Sequence, residues 1–189
     1  MKKFLVIGNP IEHSLSPILH SYWIKKNNID AVYSKKKLDV SDLENLIKEV
    51  KEKKIHGINV TVPFKNSVIP LLDELTNEAK KTQSVNTIYL KDKMVVGHNT
   101  DIEGFELAIK NINYDLNGKK VLLLGAGGVS PSIIMALNNM KAKKIFLSNR
   151  TLAKAENLKK MFSEVEIIKW GTLPDFDMII NATSLGLNS

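Results

Sequence analysis

The sequence predicts an α/β protein made of two successive units, each a largely parallel sheet with helices between its strands. Three observations carry this. Apolar runs of strand length alternate with amphipathic stretches from residue 4 to residue 183. The alternation restarts near residue 119, directly before a glycine-rich turn, GAGGVS at 125–130. The 189 residues, 43% hydrophobic and 25% charged, suffice for one ordinary core or two small ones and are too apolar for a disordered chain.

In the first unit FLVIG (4–8) is a buried strand ending in glycine. SPILHSYWIKKN (16–27) opens with Ser16 as N-cap and Pro17 at the first helical position, then places apolar residues at helical spacing. AVYSKKKL (31–38) is a strand whose lysines suit a sheet edge. SDLENLIKEVKEK (41–53) is an amphipathic helix with a capping box of Ser41 and Glu44. GINVTV (57–62) returns as a strand that Pro63 stops, so the order is βαβαβ with right-handed crossovers. Residues 64–83 suggest short helical pieces broken by Pro70. SVNTIYLKDKMVVGHNTD (84–101) reads as two strands around a tight turn at Lys91–Lys93, and DIEGFELAIKNI (101–112) as a helix with Asp101 near its start.

The second unit is more regular. KKVLLLG (119–125), SPSIIMALNNM (130–140), KKIFLSNR (143–150), LAKAENLKKMF (152–162), VEIIKW (165–170) and FDMIINAT (176–183) alternate strand and helix. That yields four parallel strands where a doubly wound domain usually has about six. The expected division is a substrate unit over 1–100, a linking helix and turn over 101–118, and a partial nucleotide unit over 119–189. The chain is accordingly expected to be a fragment, or a shortened version, of a longer protein.

Composition removes several functions. Without cysteine there are no disulfides, thiolate metal sites or cysteine nucleophiles, which fits a reducing compartment. The start MKKFLVIGNP is too short for a signal peptide and no run approaches 18 apolar residues, so a cytoplasmic location without membrane insertion is expected. The formal charge of +7 comes from lysines spread along helices and is joined by no zinc-finger, KH or RRM signature. An anionic small molecule suits that charge better than nucleic acid. The four histidines lack metal-ligand spacing, and no metal is implied.

GAGGVS follows a strand and precedes a helix, the context in which such a turn binds a dinucleotide. Gly125 makes the tight turn and Gly127 lets the backbone approach a pyrophosphate. Ser130 stands where a third small residue is usual, and the helix start offers N–H donors to the anion. An NAD site would place a carboxylate about 20 residues further on, at the end of the next strand. Asn149-Arg150-Thr151 stands there instead, and Arg150 is the only arginine in the chain. A carboxylate would repel a 2′-phosphate, whereas a guanidinium offers it a planar fork of donors and can stack on adenine. Lys154, one turn on, adds charge. The implied coenzyme is NADP.

The first unit places polar groups where its strands end: Ser14 and Ser16, then Asn59 and Thr61 on one strand face, Lys65 just beyond, Asn86 and Asp101. Ligands of open α/β sheets bind outside the carboxyl ends of the strands. Two hydroxyls and a helix start suit a carboxylate; lysine, aspartate and asparagine suit a polyhydroxylated ring.

Here the chain closely resembles the shikimate dehydrogenase family. The stretches GNPIEHSLSPILH, NVTVPFK, SVNT, GHNTDIEGF, LLGAGGVS, SNRT and NATSLG occur in family order and span essentially the whole chain. The resemblance implies an N-terminal α/β substrate domain followed by a Rossmann-like NADP-binding domain, the latter incomplete. It implies NADPH-dependent reduction of 3-dehydroshikimate to shikimate, toward chorismate and aromatic amino acids. By the same resemblance Ser14 and Ser16 bind the substrate carboxylate, Thr61, Asn86 and Asp101 bind ring hydroxyls, and Lys65 is catalytic with Asp101. Gly125, Ala126, Gly127, Gly128 and Val129, with Asn149, Arg150, Thr151 and Lys154, match the NADP-binding segments. Lysine stands at 154 where the family often has a second arginine. The expected partner is the small-molecule substrate, and a homodimer stays open.

A lysine at this place has an independent chemical rationale. A ketone receiving hydride develops negative charge on oxygen and must gain a proton, and an ammonium group serves both needs. The reverse oxidation needs a neutral lysine, scarce at pH 7, and leaves open whether Lys65 or a bound water moves the proton. Two departures from the family stand out. Its members run longer, their last part completing the nucleotide domain and supplying a substrate-binding glutamine. VSPS also follows the glycines where small residues and arginine are usual, although Pro131 is tolerable in a first helical turn. Quinate/shikimate dehydrogenases share nearly all these residues but tend to use NAD as well, which Arg150 disfavours. Glutamyl-tRNA reductases need a cysteine. A non-catalytic ligand-binding relative is opposed by the presence of both Lys65 and Asp101.

Overall fold

The computed structural model describes residues 1–186. Two compact units follow one another along the chain, Met1–Thr100 and Asp101–Ser189. Among the described residues no helix is long and apolar enough to cross a membrane.

The first unit holds β1 (Lys2–Gly8), α1 (Ser16–Lys26), β2 (Ala31–Lys37), α2 (Leu43–Lys51), β3 (Gly57–Val60), β4 (Glu74–Leu75), α3 (Asn77–Thr82), β5 (Thr87–Lys91) and β6 (Met94–His98). Its sheet runs β2-β1-β3-β5-β6-β4. β1 lies parallel to both β2 and β3, while β5 is antiparallel to β3 and to β6. The lysine-rich β2 is an edge strand, as its sequence requires. Alternation sorts the two faces: Leu5, Ile7, Ile58, Val60 and Ile88 pack with Leu43, Leu46, Ile47 and Val50 of α2 into one core.

Several local details differ from expectation. Ser16 is the first residue of α1 and does not cap it; Leu15 holds the cap position. The Ser14 hydroxyl instead accepts the Ser16 N–H at 3.3 Å, so the capping chemistry sits two residues earlier. Ser41 and Glu44 form no box, because a 3-10 turn over Val40–Asp42 precedes α2. Asp42 takes that role, accepting the Asp39 N–H at 2.9 Å. Residues 64–83 do hold only short helical pieces, but Pro70 lies inside one, second in the 3-10 turn Ile69–Leu71 where its missing N–H costs nothing, rather than between two. The two-residue β4 that follows is too short to announce itself in the sequence. At the β5–β6 hairpin, Asp92 and Lys93 both take positive φ, 49° and 69°, the backbone of a tight two-residue loop.

The second unit holds α4 (Asp101–Asn111), β7 (Lys120–Leu124), α5 (Ser130–Asn139), β8 (Lys144–Ser148), α6 (Leu152–Met161), β9 (Glu166–Ile168) and β10 (Met178–Asn181). Its sheet is parallel throughout, in the order β10-β7-β8-β9. Near-continuous apolar runs mark β7 and β8 because helices cover both faces of such a sheet. Val121, Leu123, Ile145 and Leu147 are buried with Ile134 and Leu137 of α5 and Leu158 of α6. Residues 101–118, read from sequence as a link, pack with this unit: Ile109 and Leu116 enter its core.

Candidate active site

In the second unit the carboxyl ends of β7, β8, β9 and β10 border one groove of about 250 Å3. Gly125, Ala126, Gly127, Asn149, Arg150, Thr151 and Lys154 line it. Gly128 and Val129 do not line it, though they belong to the same turn. Gly125 has φ +104°, and a Cβ there would lie 2.9 Å from the Ala182 carbonyl carbon and oxygen, so only glycine fits. At Gly127 an added Cβ would meet only the Ala182 oxygen at 3.9 Å. No protein packing demands that second glycine, and its lack of a side chain leaves room for a ligand to approach.

The turn is braced from within. The Ser130 hydroxyl donates to the Gly125 oxygen at 2.9 Å and accepts the Gly127 N–H at 3.0 Å. Ser130 is fully buried, which explains a hydroxyl where a small apolar residue is usual. Asn149 clasps the turn to the next strand: its Oδ1 accepts the Ala126 N–H at 3.0 Å and its Nδ2 donates to the Thr151 oxygen at 2.7 Å. The Ala126 and Gly127 amides are thus engaged by the protein itself.

Arg150 is exposed and, among the described residues, makes no hydrogen bond or ion pair. None of the described residues lining the groove is acidic. A groove of this size is below the roughly 300–1,000 Å3 of complete small-molecule pockets. It suits the adenosine half of a dinucleotide, and its donor set of guanidinium, ammonium and hydroxyl suits a 2′-phosphate. Sequence reasoning passed over Trp170, Thr183 and Ser184, which also line it. They follow β9 and β10, so the strand-end rule that found Arg150 would have found them too.

In the first unit Ser14, Ser16 and Thr61 share a second hollow of about 270 Å3 with Ile11 and His13. Ile11 anchors the loop by burial. Glu12 ties it down, accepting the Ile11 N–H at 2.9 Å and pairing with Lys37 at 3.2 Å. Backbone and lysine hydrogen bonds hold the Glu12 carboxyl at a pKa of about 2. Thr61 lies one residue beyond β3, its N–H donating to the Ile7 oxygen at 2.9 Å.

Lys65 follows the buried Phe64, and its carbonyl accepts the Val85 N–H at 2.9 Å. The Asn86 carbonyl in turn accepts the Val60 N–H at 2.8 Å. Backbone bonds therefore hold the Thr61, Lys65 and Asn86 segments together at the carboxyl end of β3. The end of β6 lies at the same edge, since β5 runs antiparallel to both. There Asn86 grips Thr100, accepting its N–H at 3.0 Å and donating to its Oγ1 at 2.9 Å, one residue ahead of Asp101. Asp101 is the first residue of α4, in the second unit.

Asn59 stands apart from the serines. It lines a different hollow of about 490 Å3, with Tyr33, His20 and Trp23. Its Oδ1 accepts the Tyr33 hydroxyl at 2.7 Å and its Nδ2 donates to the Thr87 Oγ1 at 3.3 Å. Both ends of the amide are engaged, so Asn59 ties β2, β3 and β5 together. Tyr33 stacks flat on His20, ring centroids 4.2 Å apart. Burial pushes the Tyr33 phenol up to about 12 and pulls the His20 imidazole down. Neither was legible as a pair from sequence.

A parallel sheet with a braced glycine turn on its second strand-end and a guanidinium on its third defines a Rossmann-like nucleotide-binding unit. The unit before it brings the Ser14, Ser16 and Thr61 residues to one hollow and holds the Lys65 and Asn86 segments at the carboxyl end of β3, as a binder of a small polar substrate does. Residues 6–88 match the shikimate dehydrogenase substrate binding domain, and residues 106–186 match the shikimate/quinate 5-dehydrogenase family. The chain belongs to the shikimate dehydrogenase family. It is 60% identical, over 98% of its length, to the NADP(+) shikimate dehydrogenase of Pelagibacter ubique and covers 70% of that protein. The shikimate dehydrogenase of Aquifex aeolicus superposes with a TM-score of 0.91 at 38% identity, over 99% of this chain and 70% of that one. The Thermus thermophilus enzyme, solved with NADP(H) and shikimate, gives 0.88 at 30% identity, over 99% of this chain and 70% of that one.

Proposed function

We propose that the chain carries out the reversible NADPH-dependent reduction of 3-dehydroshikimate to shikimate, toward chorismate and the aromatic amino acids. The observation that carries this reading is the 60% identity to an NADP(+) shikimate dehydrogenase along nearly the whole chain. Residues 1–100 serve the substrate together with Asp101, the rest of 101–118 joins this unit to the next while packing with the latter, and 119–189 serve the coenzyme. The absence of cysteine suits a reducing, cytoplasmic setting.

In this assignment Ser14 and Ser16 take the substrate carboxylate, supported by their shared hollow. Thr61, Asn86 and Asp101 take ring hydroxyls, and Asn59 contributes by fixing the strands around them. When bound, NADPH supplies the hydride for the ketone carbon. The Lys65 ammonium stabilises the charge that develops on the carbonyl oxygen and provides the proton that completes the hydroxyl. Asp101 shares that work by accepting a hydrogen bond from the same hydroxyl. Arg150, with Thr151 and Lys154, holds the 2′-phosphate, while Gly125 to Val129 and Asn149 shape the turn on which the pyrophosphate rests.

The test is shikimate-dependent reduction of NADP+ at alkaline pH, where release of a proton favours the oxidation. Turnover is expected, and Lys65→Met should lower kcat roughly 10²- to 10⁴-fold, the usual worth of a general acid or base. NADP+ binding measured by calorimetry should stay within about two-fold in that variant, since the lysine serves the substrate. A folded chain that binds NADP+ yet leaves shikimate untouched would overturn the activity. Equal turnover of quinate would move the reading to the quinate/shikimate enzymes.

A further inference from the structure

Trp170 is one of only two tryptophans in the chain, and the dinucleotide reading assigns it no role. Its position is set by strand register. β8 and β9 are parallel, with Ser148 opposite Ile168. Two residues past that pair stand Arg150 after β8 and Trp170 after β9, and both line the same groove. A turn presents the indole: the Thr172 N–H donates to the Lys169 oxygen at 3.0 Å, and Gly171 follows Trp170 with φ +87°. That is the glycine position of a type II turn, with Trp170 at its first corner. The Lys169 oxygen also accepts the Ser148 hydroxyl at 3.4 Å, tying the turn to β8. Trp170 remains 40% exposed, a large aromatic surface open to the groove beside a guanidinium.

We infer that Trp170 is an adenine-contacting residue of the coenzyme groove, an aromatic wall across from which Arg150 reads the 2′-phosphate. The inference rests on the NADP reading above and extends it to a division of labour. A flat purine gains from stacking on any aromatic face, whichever phosphates it carries. A guanidinium at the neighbouring position distinguishes 2′-phosphate from 2′-hydroxyl. Trp170 therefore supplies affinity common to all adenine nucleotides, and Arg150 supplies selectivity among them.

The two tryptophans lie in different units, so Trp23→Phe leaves Trp170 as the sole indole reporter. Titration of that protein with 5′-AMP and with 2′,5′-ADP should quench its emission saturably. Trp170→Ala should weaken both nucleotides by a similar factor, on the order of ten-fold by calorimetry. Trp170→Phe should keep most of the affinity, and Arg150→Ala should weaken 2′,5′-ADP selectively. Circular dichroism establishes that each variant is folded. Binding without quenching, or unchanged affinity in Trp170→Ala, would overturn the inference and leave the NADP assignment standing. The inference also falls if Trp170→Phe loses as much as Trp170→Ala, since packing of the indole would then explain both. If a folded chain binds neither nucleotide, the NADP assignment falls and takes the inference with it.

Discussion

Arg150 stands two residues past the end of β8 and, among the described residues, serves no bond of the fold. A long cation with no structural partner among the described residues, in a chain that otherwise relies on lysine, fits the proposed role of holding a ligand that needs its planar geometry. Tyr33 is the opposite case, a side chain whose chemistry is spent on the fold. Its hydroxyl donates to Asn59 and its ring covers His20. The phenol is raised to about 12 from an ordinary value near 10. The unfolded chain therefore releases this proton first, so stability is intact below about pH 10 and falls as pH rises toward 12. His20 is depressed by burial, so its contribution is present above its ordinary value and is lost as pH falls through the lowered one. Urea midpoints of the wild type should decline at both alkaline and acid extremes. Tyr33→Phe should flatten the alkaline decline while leaving the acid one. An unchanged alkaline slope in that variant would show that the phenol is not the group responsible.

At the scale of elements, the proposed coenzyme site would have the β7–α5 turn separate folding from binding within three residues. Gly125 is demanded by backbone conformation and by the closeness of Ala182, whereas Gly127 has open space beside it. Gly125→Ala should destabilise the second unit by roughly 1–3 kcal/mol or more, the usual cost of a strained backbone, and lower its melting temperature. Gly127→Ala should leave melting nearly unchanged but weaken NADP+ in calorimetry, because its Cβ would occupy the space the coenzyme approaches. Ser130→Ala removes a buried hydroxyl that both donates and accepts, at a cost of about 1–3 kcal/mol in thermal unfolding. Similar melting losses for Gly125→Ala and Gly127→Ala would refute this division.

Across the whole molecule, most of the fold was legible because hydrophobic periodicity reports burial directly. All four strands of the second unit and the β5–β6 hairpin follow from it. The capping details at Ser16 and at Ser41 with Glu44 were not, because several nearby side chains compete for the same N–H and only the folded backbone selects among them. Of the candidate site, the residues that spaced motifs picked out and that line the two hollows were legible as groups: the glycine turn with Asn149 to Lys154, and Ser14 with Ser16. Trp170, just past β9, lay within reach of the strand-end rule, but its place beside Arg150 depends on register between β8 and β9, which no local pattern encodes. Asn59 was visible as a polar strand residue, but its bonds to Tyr33 and Thr87 join three strands distant in sequence. The chain spans about 70% of the relatives it matches.

The measurement that bears most directly on the coenzyme groove is calorimetric titration of NADP+ and NAD+ into the chain and into Arg150→Ala. NADP+ should bind more tightly than NAD+, with about 1.5–3 kcal/mol carried by the charge-assisted bonds of the guanidinium. Arg150→Ala should remove that advantage by weakening NADP+ and leave NAD+ nearly unaffected. Equal affinity for the two coenzymes, or a preference that survives loss of the arginine, would contradict the reading of this groove.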